Sequence, residues 1–200
     1  MAQQAASERL THKFVEALGY AAETHATQTR KASNVPYIGH LLSVAGLVIE
    51  DGGTEKQAIA ALLHDAAEDQ GGHQTLAEIG QRFGPDVASI VAECSDTLET
   101  PKPPWRGRKE SYIGHLWEAS DDAVLVSLAD KLDNARAILR DFRAHGNQVW
   151  QRFSVPDPQL HLWYYRSLLE VFSRRSHSWM VGELRDVIDA LEQAINRQGA

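Results

Sequence analysis

Residues 62–70 read Leu62-Leu63-His64-Asp65-Ala66-Ala67-Glu68-Asp69-Gln70, which sets an imidazole and three carboxylates close together in one short stretch. In a helix, residues three or four apart share a face, so His64 with Glu68, Asp65 with Glu68, and Asp65 with Asp69 project as neighbours. The preceding run, Ala58-Ile59-Ala60-Ala61-Leu62-Leu63, has no polar side chain and predicts a helix lying deep in the protein. Its acidic end then meets a low-dielectric interior, where unpaired carboxylates are costly, and it meets it at the negative end of the helix dipole. A bound divalent cation removes the difficulty. The plainer alternative is a helix that surfaces here, with Glu68 and Asp69 in water and His64 a hydrogen-bonded core histidine.

Two further residues suit such a cation. His40 precedes Leu41, Val44, Ala45 and Val48, so its turn faces the core. Asp130 is embedded in Val124-Leu125-Val126-Ser127-Leu128-Ala129-Asp130, another nearly continuous apolar run that asks for a partner. Lys131 is expected to serve that aspartate poorly, because consecutive helical residues point about 100° apart. Two histidines and two aspartates form a mixed nitrogen and oxygen set that favours Mn²⁺ or Fe²⁺ over a sulfur-rich zinc site. Four protein ligands on a roughly six-coordinate ion leave positions for water and substrate, which means chemistry and not a structural clamp. Glu68 and Asp69, one turn beyond, are placed to handle a water without touching the ion.

The elements that must position these residues are all helical. Apolar residues at Leu10, Phe14, Ala17, Leu18 and Ala21 give a 3.6-residue stripe, and no clean alternation lasts long enough for a strand, so the predicted class is all-α. A second helix runs from Tyr37 to about Glu50 and stops at Gly52-Gly53. Thr54 caps a third, with Gln57 at capping-box spacing, that carries the motif and ends near Gln70. Further helices are predicted at about Thr75 to Phe83, Pro85 to Leu98, Arg106 to Ala119, Asp121 to Arg143, Pro158 to Ser173 and Val181 to Ile195. The stretch Glu99-Thr100-Pro101-Lys102-Pro103-Pro104-Trp105 cannot be helical and reads as a rigid connection within one domain spanning 1–200. Tyr37-Ile38-Gly39-His40-Leu41 recurs as Tyr112-Ile113-Gly114-His115-Leu116, either by coincidence or as a shared helix start.

Composition narrows the function classes. A net charge of −7 gives no support to general attraction for nucleic acid or anionic membranes. There is no apolar run long enough to span a bilayer and no secretory signal, and Cys94 is the only cysteine, so a cytoplasmic protein is expected. Cys94 reads as a small core residue.

Taken in order, Arg30-Lys31, Pro36-Tyr37-Ile38-Gly39-His40, Leu62 to Asp69, and Leu128-Ala129-Asp130-Lys131-Leu132-Asp133-Asn134 resemble the HD superfamily of metal-dependent phosphohydrolases. Within it they resemble the hydrolase domain of RelA/SpoT proteins and the stand-alone small alarmone hydrolases. The likeness covers about residues 10 to 140, with helices over 158–197 expected to pack on that core. It implies that His40, His64, Asp65 and Asp130 bind one Mn²⁺, with Fe²⁺ or Zn²⁺ as ions the isolated protein could carry. It implies that Glu68 and Asp69 orient and deprotonate the attacking water, that Arg30 and Lys31 line the nucleotide pocket, and that Asn134 bonds substrate or water. The implied reaction removes pyrophosphate from the 3′ position of a purine alarmone, (p)ppGpp or its adenosine analogue (p)ppApp. Alternatives are an HD phosphohydrolase acting on a nucleoside monophosphate or cyclic nucleotide, and a non-catalytic alarmone sensor.

This chain departs from the family pattern in places. Arg30 stands ten residues before His40 where the pattern has nine, Asp133 sits where histidine or tyrosine is usual, and Ala137 where longer enzymes often have threonine. These departures are expected to touch nucleotide recognition and not the metal. Arg106, Arg108 and Lys109 form a second basic group opposite no obvious acids, read as a solvated helix start. His12, His25, His73, His115, His145, His161 and His177 lack acidic partners at ligand spacing and read as surface or packed residues. Leu160, Trp163, Tyr164, Leu168 and Phe172 form an aromatic stripe, core or a homo-oligomer contact before a base-stacking platform.

Overall fold

Thr11, Thr54, Ser120 and Asp157 each stand just ahead of a helix and accept a backbone N–H from its first turn, so four helix starts follow from short oxygen-bearing side chains. The protein is seen here in a computed structural model that describes residues 9–30, 34–99 and 101–199. Among these residues the chain forms α1 (His12–Thr24), α2 (Ile38–Glu50), α3 (Glu55–Leu63), α4 (Ala66–Asp69), α5 (His73–Phe83), α6 (Pro85–Cys94), α7 (Trp105–Leu116), α8 (Asp121–His145), α9 (Pro158–Arg175) and α10 (Met180–Gly199). A 3-10 segment, Gly146–Arg152, links α8 to α9. No strand occurs among the described residues; Thr29 and Pro36 form one isolated antiparallel bridge. The expected all-α class is observed.

The 25-residue α8, about 37 Å long at 1.5 Å per residue, is the axis of the fold. Helices α2, α3, α6, α9 and α10 all pack on it. One continuous core runs from Ala17 in α1 to Ile195 in α10, so the C-terminal helices share the interior of the motif-bearing part. Helix α3 is the innermost element, with every residue from Ala58 to Leu63 buried, as a run without polar side chains requires. Its Thr54–Gln57 capping box forms in both directions.

Several boundaries differ from expectation, each for a local reason. The motif helix does not run unbroken to Gln70: α3 stops at Leu63, His64 and Asp65 occupy a turn, and α4 resumes at Ala66. Asp65 takes φ −96° and ψ −7°, which bends the path while its carbonyl still accepts the Asp69 N–H at 2.9 Å. Gly71 and Gly72, at φ +131° and +61°, then turn the chain into α5. Helix α6 ends at Cys94 and not Leu98, because Ser95 is extended and its hydroxyl bonds back to the Val91 carbonyl at 2.8 Å. Helix α7 ends at Leu116 and not Ala119. There Arg175 of α9 donates to the carbonyls of Leu116, Trp117 and Ala119 at 3.1, 2.5 and 2.8 Å. The repeated Tyr-Ile-Gly-His-Leu segment opens α2 at one copy and closes α7 at the other, so it is coincidence and not a shared helix start.

Candidate active site

The break between α3 and α4 brings His64 and Asp65 to the side of α3 that faces α2 and α8. His40, in the first turn of α2, and Asp130, midway along α8, meet them there. His40 and His64 are each 2% exposed and Asp130 4%. Asp65 Oδ2 lies 3.5 Å from His40 Nε2 and 3.0 Å from His64 Nε2, while Asp130 Oδ1 lies 3.2 and 3.5 Å from the same two nitrogens. The ligand atoms of His40, His64 and Asp65 all fall within 4.8 Å of one another, a group able to hold a metal ion.

Both imidazoles are oriented by their other nitrogen. His64 Nδ1 is 2.8 Å from the Ala61 carbonyl, which can only accept, so Nδ1 carries the hydrogen. His40 Nδ1 is 2.7 Å from Asp133 Oδ2. Each ring therefore turns Nε2 toward the shared centre, and both Nε2 atoms are buried without a hydrogen-bond partner. Two such nitrogens facing two carboxylate oxygens fit a divalent cation of mixed nitrogen and oxygen preference.

The electrostatics agree. Burial works against a charge on His40, yet the neighbouring carboxylates of Asp130, Asp133 and Asp65 push it up to about 9. Burial likewise opposes a charge on His64, and the Asp65 and Asp130 carboxylates lift it well above its ordinary value. Asp65 and Asp130 sit well below the carboxylate range although burial alone would raise them, Asp65 chiefly through His64 and Asp130 chiefly through Lys131. The field at this point calls for positive charge, whether protons or a metal.

Tyr37, at the start of α2, donates to Asp65 Oδ2 at 2.6 Å. Asn134, one turn after Asp130, donates to Asp130 Oδ1 at 2.5 Å and accepts from Arg30 Nη1 at 2.9 Å. Glu68 accepts the Asp96 backbone N–H at 2.9 Å on one oxygen and Lys102 Nζ at 2.8 Å on the other. Asp69 accepts from Gln28 Nε2 at 2.8 Å, and Gln28 is itself 2.8 Å from His25 Nδ1. A cleft of about 280 Å³ opens beside these groups. Asp65, Glu68, Asp69 and Lys102 line it together with Arg30, Tyr37 and Asn134, and Lys109, Lys131, Trp105, Phe153, His161, Tyr164 and Tyr165 line it too.

Of the expected site residues, the structure gathers His40, His64, Asp65 and Asp130 around one centre and sets Glu68, Asp69, Arg30 and Asn134 along the adjoining cleft. Lys31 lies outside the described residues. Three expectations need correction. Asp133 does touch the metal group, through His40. Lys131 Nζ does reach Asp130 Oδ2, at 2.5 Å, because four methylenes let an ammonium fold back past the 100° offset. The basic group after the prolines does face an acid: Arg108 and Lys109 converge on the buried Asp96 carboxylate, while Arg106 pairs with Glu110 and stacks 3.5 Å over Trp163. Burial, then the Lys131 charge, lower the Lys109 ammonium from its ordinary value.

Sequence reasoning missed Tyr37, Gln28 and Lys102. Tyr37 carried a signal, standing one turn before His40 in the Pro36-Tyr37-Ile38-Gly39-His40 segment. Lys102 was hidden in a proline-rich connection whose course nothing local dictates. Leu168 and Phe172 are core as expected, while Tyr164 is buried yet lines the cleft. His25 and His161 are packed, the latter against Trp150 and with Nε2 2.8 Å from the Val155 carbonyl.

A family model described as HD domain matches residues 17–158. The guanosine-3′,5′-bis(diphosphate) 3′-pyrophosphohydrolase MESH1 of Xenopus tropicalis is 43% identical over 130 residues, covering 64% of this chain and 70% of that protein. Human MESH1, of the same description, is 37% identical over 148 residues, covering 72% and 78%. A solved structure described as a metazoan ortholog of SpoT that hydrolyzes ppGpp superposes with a TM-score of 0.69 at 26% identity, covering 94% of this chain and 97% of that one. With His40, the His64–Asp65 pair and Asp130 all inside the matched segment, the chain belongs to the HD-domain family and is related within it to MESH1 and SpoT.

Proposed function

We propose that the chain is a metal-dependent hydrolase that removes pyrophosphate from the 3′ position of a purine alarmone, (p)ppGpp or (p)ppApp, with one Mn²⁺ held by His40, His64, Asp65 and Asp130. The observation that carries the reading is the meeting of four donor atoms from α2, the α3–α4 turn and α8 beside a lysine-lined cleft. The described activities of the relatives supply the substrate class.

Held by His40, His64, Asp65 and Asp130, a divalent cation would supply a lowered pKa for water and positive charge for a phosphoryl oxygen. The side chains do the rest. Glu68 takes the proton of the attacking water; a backbone amide on one oxygen and an ammonium on the other hold its carboxylate in one orientation. Asp69, steadied by Gln28, aligns that water. Lys102, bridging Glu68 and Asp69 at 2.8 and 3.4 Å, supplies positive charge for the phosphate beside the base, and Lys109 and Lys131 extend it along the cleft. Arg30 uses its edge on Asp133 and Asn134, which leaves the guanidinium plane for a purine ring. Asn134 retains one amide hydrogen for substrate or water. Nothing in this reading needs nucleic acid or a membrane, and no helix among the described residues is long and apolar enough to cross one. A cytoplasmic setting suits the alarmone substrate.

The test is a nucleotide panel with purified protein and Mn²⁺. Pyrophosphate release confined to guanosine or adenosine substrates carrying a 3′-pyrophosphate supports the proposal, and the rate ratio of the two gives the base preference. Turnover of monophosphates or cyclic nucleotides instead, or tight alarmone binding without turnover, overturns it.

A further inference from the structure

One oxygen atom, Asp133 Oδ2, accepts two hydrogen bonds: from His40 Nδ1 at 2.7 Å and from Arg30 Nη2 at 2.6 Å. His40 belongs to the metal group and Arg30 to the wall of the cleft. The contacts are sheltered, with the Arg30 and Asp133 side chains only 16% and 18% exposed and His40 buried, so they are not the loose ion pairs of a wet surface. Arg30 has a second arm through Nη1 to Asn134 Oδ1, and Asn134 in turn holds Asp130 Oδ1. Arg30 is thereby tied to both α2 and α8 faces of the metal group, by Asp133 on one side and Asn134 on the other.

We propose that Asp133 is a positioning residue that couples nucleotide recognition to metal retention, holding His40 with Nε2 toward the ion and Arg30 against the substrate through a single shared oxygen. The proposal rests on the functional reading above for the identity of the nucleotide, but its metal half does not. A carboxylate that takes the Nδ1 hydrogen fixes the tautomer and plane of the ring and raises the basicity of Nε2. Because the same oxygen serves Arg30, moving or removing the guanidinium changes how firmly the carboxylate holds His40. Linkage then requires the reverse: an ion on His40 changes how firmly Arg30 is held for a purine. Asp133 touches neither water nor reacting phosphate in this scheme, so its effect passes through its two partners.

The experiment is a Mn²⁺ titration of the whole protein without nucleotide, read by the electron paramagnetic resonance of free Mn²⁺. Wild type, Asp133→Ala, Asp133→Asn, Arg30→Ala and the Arg30→Ala/Asp133→Ala double variant are compared, each first checked for native helicity by circular dichroism. Asp133→Ala is expected to weaken Mn²⁺ binding about 10- to 100-fold. Asp133→Asn, which keeps an acceptor oxygen of the same reach and so preserves shape if the alanine variant fails to fold, recovers most of the affinity. Arg30→Ala weakens binding measurably alone and has a clearly smaller effect in the Asp133→Ala background, where only its Asn134 arm remains. Wild-type Mn²⁺ affinity in folded Asp133→Ala, or an equal Arg30→Ala effect in both backgrounds, overturns the proposal. Should the nucleotide panel show no alarmone turnover while these Mn²⁺ differences stand, the substrate assignment falls and the role of Asp133 survives.

Discussion

Tyr37 donates its phenolic hydrogen to Oδ2 of Asp65 at 2.6 Å, and the same oxygen lies 3.0 Å from His64 Nε2. A residue at the start of α2 thus sets the direction in which a carboxylate of the α3–α4 turn presents its lone pairs. Burial first, and the Asp65 charge second, push the Tyr37 phenol far above its ordinary range, so it remains a donor.

Tyr37→Phe keeps the ring and removes that bond. Mn²⁺ affinity should fall about 10-fold, the low end for a lost partner of a metal ligand. Isothermal titration calorimetry on both proteins measures it, and an unchanged constant removes Tyr37 from the site.

Asp65→Ala and Glu68→Ala should fail differently. The first loses metal and activity together, because it deletes a donor atom. The second retains metal and loses about 10²- to 10⁴-fold in kcat, the range for a missing general base. Metal content by plasma emission beside the steady-state rate separates them; an active Glu68→Ala enzyme refutes the assignment of the base.

Cys94 is buried between α6 and α8, where its thiol approaches the Ala123 carbonyl and the Ser127 hydroxyl. Burial pushes it up to about 11, with the Ser127 hydrogen bond opposing. An unfolded thiol ionises near 8.5, so between that value and 11 the unfolded chain binds fewer protons, and stability falls as pH rises through the window. Native protein at pH 8 should leave a disulfide reagent unreacted and consume one equivalent in denaturant. Rapid native labelling contradicts this packing.

Arg175 closes α7 with three carbonyl contacts and meets Asp121 at 3.1 Å. Arg175→Ala leaves those carbonyls to compete for water and should cost about 2 kcal/mol, the range for hydrogen bonds to a charged donor. Urea unfolding reads the loss, and kcat should not move, since Arg175 is absent from the cleft.

Which parts of this were legible in the sequence follows from how local each cause is. The Thr54 cap, the Gly52 and Gly71-Gly72 stops and the buried Ala58–Leu63 run all act within a few residues, so the helices and the motif's setting could be read directly. Asp130 was visible because an acid inside an apolar run demands a partner. The break at His64–Asp65 was not visible, because no proline or glycine marks it. The ends of α6 and α7 depend on residues elsewhere: the chain after Ser95 turns toward Glu68, and Arg175 reaches α7 from α9. Asp133 was misjudged for the same reason. Its partners, His40 and Arg30, are 93 and 103 positions away along the chain.

The four donor atoms proposed for the metal come from three elements that touch only when the chain is folded: α2, the α3–α4 turn and α8. An unfolded chain offers no such arrangement, so every increment of ion affinity reappears as resistance to melting, about 2.7 kcal/mol at a hundred times the dissociation constant. Heat tolerance in a graded manganese series therefore doubles as a gauge of occupancy. It works on catalytically dead variants as well as on live ones.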